Sequence, residues 1–179
     1  MITVTGQVHQ VSIHNVYLAG EMSGYRWRDQ VIEGLPLCEW EPHQVVETNF
    51  FNYVGPFFRS AMPTNRSVGE QLHSSPIGNN ADPLGVIDRL QERFEFGIKH
   101  CTVFLAYIDK PMSFEVLLEI DMALAAKKRV VVCFRPGIDH KPFEAYLHQA
   151  LCYVNVRPEN LAEILIKEND RFAIEAGYV

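Results

Sequence analysis

The chain of 179 residues has no long apolar run, no excess of basic residues and no closely spaced cysteines. No segment approaches the ~20 apolar residues that a membrane-spanning helix needs, and residues 1–10 lack the basic and apolar parts of a secretory signal. A net charge of −6 leaves no basic stripe to neutralise a nucleic-acid backbone. We therefore expect a cytoplasmic protein that binds neither membranes nor nucleic acids and takes a small-molecule ligand.

Cysteine and histidine patterns exclude further classes. The cysteines, none of them in a CxxC pair, are Cys38, Cys101, Cys133 and Cys152. Because each falls singly at a predicted strand, buried free thiols in a reducing compartment explain them better than disulfides or zinc. The seven histidines show no metal-ligand spacing, and there is neither a GxGxxG motif nor a Walker loop after the first strand. We expect no metal and no cofactor.

The most informative stretch runs from residue 101 to 134. An apolar β-branched and aromatic run at 102–108 is followed by a break, by helical periodicity over 113–126, and by a second apolar run at 130–134. Two strands that are buried on both faces and joined by a helical crossover form the βαβ unit of a parallel sheet. Ligands of such sheets bind outside the carboxyl ends of the strands. Asp109, Ser113 and Glu115 are therefore expected at the ligand edge.

One acidic residue of the predicted helix stands on an apolar face. The residues at i+3, i+4 and i+7 from Glu119 are Met122, Ala123 and Ala126. The stripe expected to face the sheet consists of Phe114, Leu117, Leu118, Leu124 and Ala125. A partly desolvated carboxylate costs free energy unless it is paired or used, so Glu119 is a candidate functional acid. A solvated surface glutamate is an equally open interpretation at this point.

The remaining elements complete an α/β pattern. Further strands are predicted at 11–19, 36–40 and 151–156, and further helices at 25–33, 82–98, 141–150 and 158–169, before a tail at 171–179. Residues 42–83 show no sustained period and are predicted to form a long irregular loop. We expect a single domain over residues 1–179, with a Rossmann-like or flavodoxin-like three-layer sandwich around a five-stranded, mostly parallel sheet.

Two segments outside the central unit are candidates for ligand binding. The first strand runs into a turn that contains Gly20 and Ser23, and a turn before a helix can cradle an anion or a sugar hydroxyl with its backbone N–H groups. Arg26 and Arg28 follow in the first helical turn, where solvated surface charges are the ordinary case. Within the loop, the aromatic cluster at 50–59, which includes Phe57, is expected to cover a ligand, to dock on another subunit or to pack on the core.

Several short motifs, in their order along the chain, resemble one enzyme superfamily. They are Tyr17-Leu18-Ala19-Gly20, Trp27-Arg28, Tyr53-Val54-Gly55-Pro56-Phe57-Phe58, Ala106-Tyr107-Ile108-Asp109, and Glu119-Ile120 with Ala123. Together they resemble the nucleoside 2-deoxyribosyltransferase-like superfamily, which includes the nucleoside 5′-monophosphate N-glycosidases. The resemblance spans residues 14–156. It implies a Rossmann-like fold and cleavage of the bond between a nucleobase and C1′ of its sugar.

The resemblance also implies roles for particular residues. Glu119 matches the catalytic glutamate that attacks C1′, and Tyr17 matches the strand-one tyrosine that hydrogen-bonds this carboxylate. Asp109 is then the candidate that protonates or binds the leaving base. Ser113 matches a serine that the monophosphate glycosidases use for phosphate, and Ser23, Arg26 and Arg28 complete the candidate phosphate site. Gly20 and Phe57 are further candidate substrate contacts.

Two departures from the family pattern weaken the catalytic set. Phe94 stands near the position where members of the superfamily usually carry an aspartate. Glu95 or Asp88 takes the place of this acid only if the helix is shifted. Glu115 stands where the family has a glycine, and its charge disfavours a 5′-phosphate. The expected substrate is a nucleoside or nucleoside 5′-monophosphate, cleaved by hydrolysis or base exchange. The alternatives are a catalytically weak nucleotide sensor and a hydrolase of an ADP-ribose-type substrate such as NAD.

A further implication concerns assembly. Members of the superfamily complete their sites with residues from a neighbouring subunit, and the aromatic cluster at 50–59 supplies apolar area for such a contact. A homodimer or higher homo-oligomer is therefore expected.

Overall fold

A single sheet organises the described part of the chain. The computed structural model describes residues 14–20, 27–31, 45–48, 51–55, 94–111 and 114–175. The strands are β1 (Asn15–Gly20), β2 (Val46–Glu47), β3 (Asn52–Gly55), β4 (Val103–Ile108), β5 (Arg129–Phe134) and β6 (Leu151–Tyr153). The helices are α1 (Arg28–Val31), α2 (its described residues, 94–100), α3 (Phe114–Ala125) and α4 (Leu161–Glu175), with 3-10 turns at Lys141–Phe143 and Pro158–Asn160.

The strand order is β2-β3-β1-β4-β5-β6. Neighbouring pairs from β3 to β6 are parallel, and only the two-residue β2 pairs antiparallel with its neighbour. Without β2, the five parallel strands follow the flavodoxin-like order. The predicted α/β class, with a mostly parallel sheet of five strands, is confirmed, and β2 is an addition at the edge.

Two apolar cores, one on each face, make the fold three-layered. On one face Tyr17, Phe104 and Ile108 pack with residues of α2 and α3. On the other face Leu18 and Leu105 pack with residues of α1 and α4. Every residue of β4 is buried. Helices on both faces explain why the central strands read as continuous apolar runs and not as alternating patterns.

The buried face of α3 differs in part from the predicted one. Leu117 and Leu124 pack on the core as predicted, but the buried residues are Val116, Ile120 and Ala123. Leu118 is 53% exposed and Ala125 is also exposed. At about 100° per residue, Leu118 lies roughly 200° from Val116 and must face away from the sheet. Glu119 lies roughly 60° from Val116, at the border of the buried face. It is accordingly half-buried, which favours the partly desolvated position over the solvated one that the sequence left equally open.

The predicted loop at 42–83 is wrong over its first part. Val46–Glu47 and Asn52–Gly55 form strands, and β3 pairs with β1 as the parallel edge strand of the sheet. A strand of two to four residues is too short to show a period, and β3 is specified by its pairing with β1. The strand predicted at 36–40 lies outside the described residues, as does the part of the predicted 82–98 helix that precedes residue 94.

Two further elements near the C-terminus differ from the prediction. The helix expected at 141–150 is a 3-10 turn, Lys141–Phe143, followed by turns whose hydrogen bonds mostly span three residues. Only Phe143 and Leu147 are buried there, which is too small an apolar face to stabilise a longer helix. The last helix instead runs on to Glu175, because Glu175 pairs with both Arg171 and Arg129.

The described cysteines follow the prediction in part. Cys101 and Cys133 are buried free thiols, and burial raises the pKa of Cys101 to about 11 and that of Cys133 to about 12. Cys152 is free but exposed, because it lies on the short edge strand β6, so its predicted burial is wrong. Cys38 lies outside the described residues. None of the helices that the structure describes is long and apolar enough to cross a membrane.

Candidate active site

The topology creates a crevice between β1 and β4. The chain passes from β1 to β3 on one side and then to β4 on the other, so the winding direction reverses between β1 and β4. In open parallel sheets, ligands bind at this switch point, outside the carboxyl ends of the strands. Here those ends are Gly20 on β1 and Ile108 on β4, which Asp109 follows directly. Two of the predicted site residues therefore border the switch point.

Tyr17, in the middle of β1, is fully buried beside α2 and α3. Its ring stacks on that of Phe104, with centroids 5.2 Å apart and an interplanar angle of 9°. Burial, and then the charge of Glu119, raise the pKa of Tyr17 well above its usual value. The buried Tyr17 hydroxyl makes no hydrogen bond within the described part of the chain. Tyr17 is thus a neutral phenol that lies close enough to the Glu119 carboxylate to be affected by its charge.

The charge of Glu119 affects three other groups in this region, namely Tyr17, Tyr53 and Arg28. These three residues lie on β1, β3 and α1, so the electrostatic influence of the α3 carboxylate extends to three different elements. The structure therefore brings together Glu119 and Tyr17, the two residues that the resemblance relates.

Arg28 is a buried cation at the end of β1. Arg28 is only 7% exposed. Its Nε donates a hydrogen bond of 2.9 Å to Leu18 O, and its Nη2 donates one of 2.8 Å to Gly20 O. The guanidinium carbon also lies 4.5 Å from the centre of the Trp27 ring. Burial lowers the pKa of Arg28, although arginine stays charged in proteins. Its expected solvation at the surface is wrong, because the β1 carbonyls and Trp27 hold it inside.

Asp109 and Gly20 border the switch point at the carboxyl ends of β4 and β1. Asp109 is 6% exposed, and its charge attracts Arg28. Gly20 has a φ of +152°, and a Cβ there would lie 2.8 Å from Tyr107 O and 2.9 Å from Cζ2 of Trp27. Only glycine allows β1 and the Trp27 side chain to approach this closely. Gly20 is therefore required by packing, whatever its role in substrate binding.

Two residues of this region, Tyr53 and Gly97, were not among the predicted site residues. Tyr53 of β3 is fully buried, and burial raises its pKa far above the usual value. The charge of Arg28 lowers this pKa and the charge of Glu119 raises it, but burial is the largest effect. Gly97 of α2 is buried against the Tyr17 ring. An isolated glycine in a helical pattern is the sequence signal that marks a close approach.

The other predicted site residues are only partly placed. Glu115 lies in the first turn of α3, at the switch-point end of the helix. The remaining predicted ligand contacts lie outside the described residues: Ser23, Arg26, Phe57 and Ser113. Phe94 packs on the core and Glu95 is exposed, so neither residue of α2 places an acid beside Tyr17. Among the described residues, no group of three or more possible metal ligands is present.

No protein-family model and no curated protein matches this chain. What the site can do therefore follows from its own groups. A half-buried carboxylate near a neutral, buried tyrosine hydroxyl can accept a hydrogen bond from it, and such a bond holds a nucleophile in one rotamer. Asp109, a buried carboxyl group at the end of β4, and Glu119 both interact electrostatically with the buried Arg28.

Proposed function

We propose that the chain is an enzyme that cleaves the N-glycosidic bond of a nucleoside or nucleoside 5′-monophosphate, with Glu119 as nucleophile. The single observation that carries this proposal is the packing of α3, the helix that carries Glu119, on Tyr17 of β1, so that the carboxylate and the phenol lie on the same face of the sheet. The resemblance in sequence gives the same pairing independently of the coordinates.

In the first step a Glu119 carboxylate oxygen bonds to C1′ while the bond from C1′ to the base nitrogen breaks. The electron pair leaves with the base, and Asp109 donates a proton to it or binds it. In the second step water, or a second base, attacks C1′ and the ester bond to Glu119 breaks. The incoming nucleophile gives its proton to Asp109, which replaces the proton that Asp109 gave to the base, or to bulk water where Asp109 has only bound the base. The Glu119 carboxylate is then restored.

Base release by variants of Glu119 tests the proposal. Purified protein is incubated with a panel of nucleosides, nucleoside 5′-monophosphates and NAD, and free base is quantified by chromatography. Glu119→Gln is expected to lower release by roughly 10⁴-fold or more, as the loss of a covalent nucleophile does. Asp121→Asn, which removes an exposed carboxylate from the same helix, should leave the rate unchanged. Equal release by wild type and Glu119→Gln would remove the nucleophile assignment.

The covalent intermediate gives a second measurement. A rapidly quenched reaction, digested and analysed by mass spectrometry, should show a glycosyl group on the peptide that contains Glu119. With a second base present, the yield of exchanged nucleoside separates a transferase from a hydrolase.

Phe94 favours a second candidate, a nucleotide-binding sensor without turnover. The family's usual acid is absent there, and the phenylalanine instead packs on the core. Titration calorimetry with the same panel distinguishes the two functions. Tight binding of a nucleotide, with no base released after prolonged incubation, would establish the sensor and refute the enzyme.

A further inference from the structure

Gly97 occupies a position where the local conformation does not call for glycine. It lies within the helical residues 94–100 and is buried. Glycine is, after proline, the residue least suited to a helix interior. A close approach by a neighbouring group is the usual reason for such a residue.

The group that approaches Gly97 is the ring of Tyr17. A Cβ built on Gly97 would lie 2.6 Å from Cδ2 and 2.7 Å from Cε2 of that ring, and 2.9 Å from Val54 O. Phe104 stacks on the same ring. The ring is therefore held along one edge by Gly97 and on a face by Phe104, and the Gly97 contact leaves no room for a methyl group.

We propose that Gly97 is a positioning residue, which, by lacking a side chain, lets the Tyr17 hydroxyl reach the Glu119 carboxylate. The catalytic meaning of this inference rests on the proposed function. Its structural meaning does not, because the distance from Tyr17 to Glu119 can be measured without turnover.

Gly97→Ala is expected to lower kcat for base release by about 10- to 100-fold, with KM nearly unchanged. The methyl group must displace the Tyr17 ring, and a misplacement of about 1 Å is worth roughly 100-fold in rate. Gly137→Ala is the matched control, because a Cβ there meets nothing within 4 Å although its φ of +87° strains the substitution. That control variant should lose stability but not kcat.

A double-mutant cycle separates positioning from general loosening of the core. If Gly97 acts through the Tyr17 hydroxyl, Gly97→Ala should cost no further kcat in a Tyr17→Phe background. A full additive loss in that background would overturn the inference. If Gly97→Ala does not fold, Phe104→Leu loosens the ring from its stacked face, and the same loss of additivity with Tyr17→Phe is expected.

The crystal structure of Gly97→Ala decides the matter independently of activity. A Tyr17 hydroxyl moved away from Glu119 supports the inference, and an unmoved hydroxyl overturns it. If the wild type releases no base, the proposed function fails while this measurement still judges the role of Gly97. If base is released and the hydroxyl has not moved, the inference alone fails.

Discussion

At the scale of single residues, Arg28 shows how burial gives a charged group a defined task. Arginine is rarely buried unless it is paired, and this guanidinium donates to two carbonyls of β1 while Glu119 and Asp109 supply compensating charge. One side chain thus fixes the end of the strand that carries Tyr17 and neutralises part of the acidic cluster.

Substitution of Arg28 should test this double role. Arg28→Lys keeps the charge, but an ammonium group cannot reproduce the planar fork that spans Leu18 O and Gly20 O. We expect it to lower the free energy of unfolding by roughly 1–3 kcal/mol, the cost of an unsatisfied buried hydrogen-bonding group. Arg28→Met should cost more, because the acidic cluster also loses its counter-charge. Urea unfolding measures both variants.

The control for Arg28 is Arg135→Lys, which alters an exposed arginine just after β5 and should change stability by less than about 0.5 kcal/mol. An Arg28→Met variant as stable as wild type would contradict the role given to this residue.

At the scale of elements, α4 is joined to the sheet by one buried acid. Glu168 is 1% exposed, accepts a hydrogen bond from the Tyr153 hydroxyl, and forms an ion pair with Arg129 Nη2 at 2.9 Å. Burial alone would raise the pKa of Glu168, but hydrogen bonds from Tyr153 and Arg129 hold it below its usual value. The helix is therefore anchored to β5 and β6 through its ionised carboxylate.

Glu168→Gln is expected to lower the free energy of unfolding by roughly 3 kcal/mol at neutral pH, because Arg129 loses a buried partner. Since the folded-state pKa of Glu168 is depressed, its stabilisation is fully present above the unfolded-state pKa of the carboxyl group. It is lost as the pH falls through the folded-state value. The variant should lack this part of the acid sensitivity in denaturant titrations across pH.

The exposed Glu163, on the same helix, provides the matched control for Glu168. Glu163→Gln should leave stability within about 0.5 kcal/mol of wild type at every pH. Equal losses from the two substitutions would mean that the buried pair contributes nothing specific.

At the scale of the whole molecule, a buried histidine ties stability to pH. His14, just before β1, is 4% exposed and shares a hydrogen bond of 3.1 Å between its Nδ1 and Thr102 Oγ1. Burial, and then the charge of Arg129, lower the pKa of His14. The folded molecule therefore favours the neutral imidazole at the amino ends of β1 and β4.

Because the folded-state pKa of His14 is depressed, the unfolded chain binds the extra proton first as the pH falls. The contribution of neutral His14 to the free energy of unfolding is therefore fully present above about pH 6.5, the pKa of an unfolded histidine. Below that pH the free energy of unfolding declines by at most about 1.4 kcal/mol per pH unit because of this one site. His14→Gln should remove that decline in urea unfolding between pH 5 and 7.5. His148→Gln, at an exposed histidine, should retain it.

Long periodic segments were predictable because their pattern is local. The unit from residue 102 to 134 is found as β4, α3 and β5, with ends within one residue of the predicted ones. Short elements were not predictable in this way. The edge strand β3 is defined by its partner β1, and the last turns of α4 by ion pairs that reach Arg129 from Glu168 and Glu175.

The sequence by itself determined the α/β class and the central crossover, because burial on two faces and helical spacing are patterns of neighbouring residues. It left the half-buried and the solvated position of Glu119 equally open. Only the tertiary structure decided that the charge of Glu119 acts on Tyr17, Arg28 and Tyr53, and that Gly97 packs on the Tyr17 ring. They lie on four separate elements, and their proximity depends on strand order and on the close approach that two glycines permit. Distances between elements depend on packing in three dimensions, which no local pattern encodes.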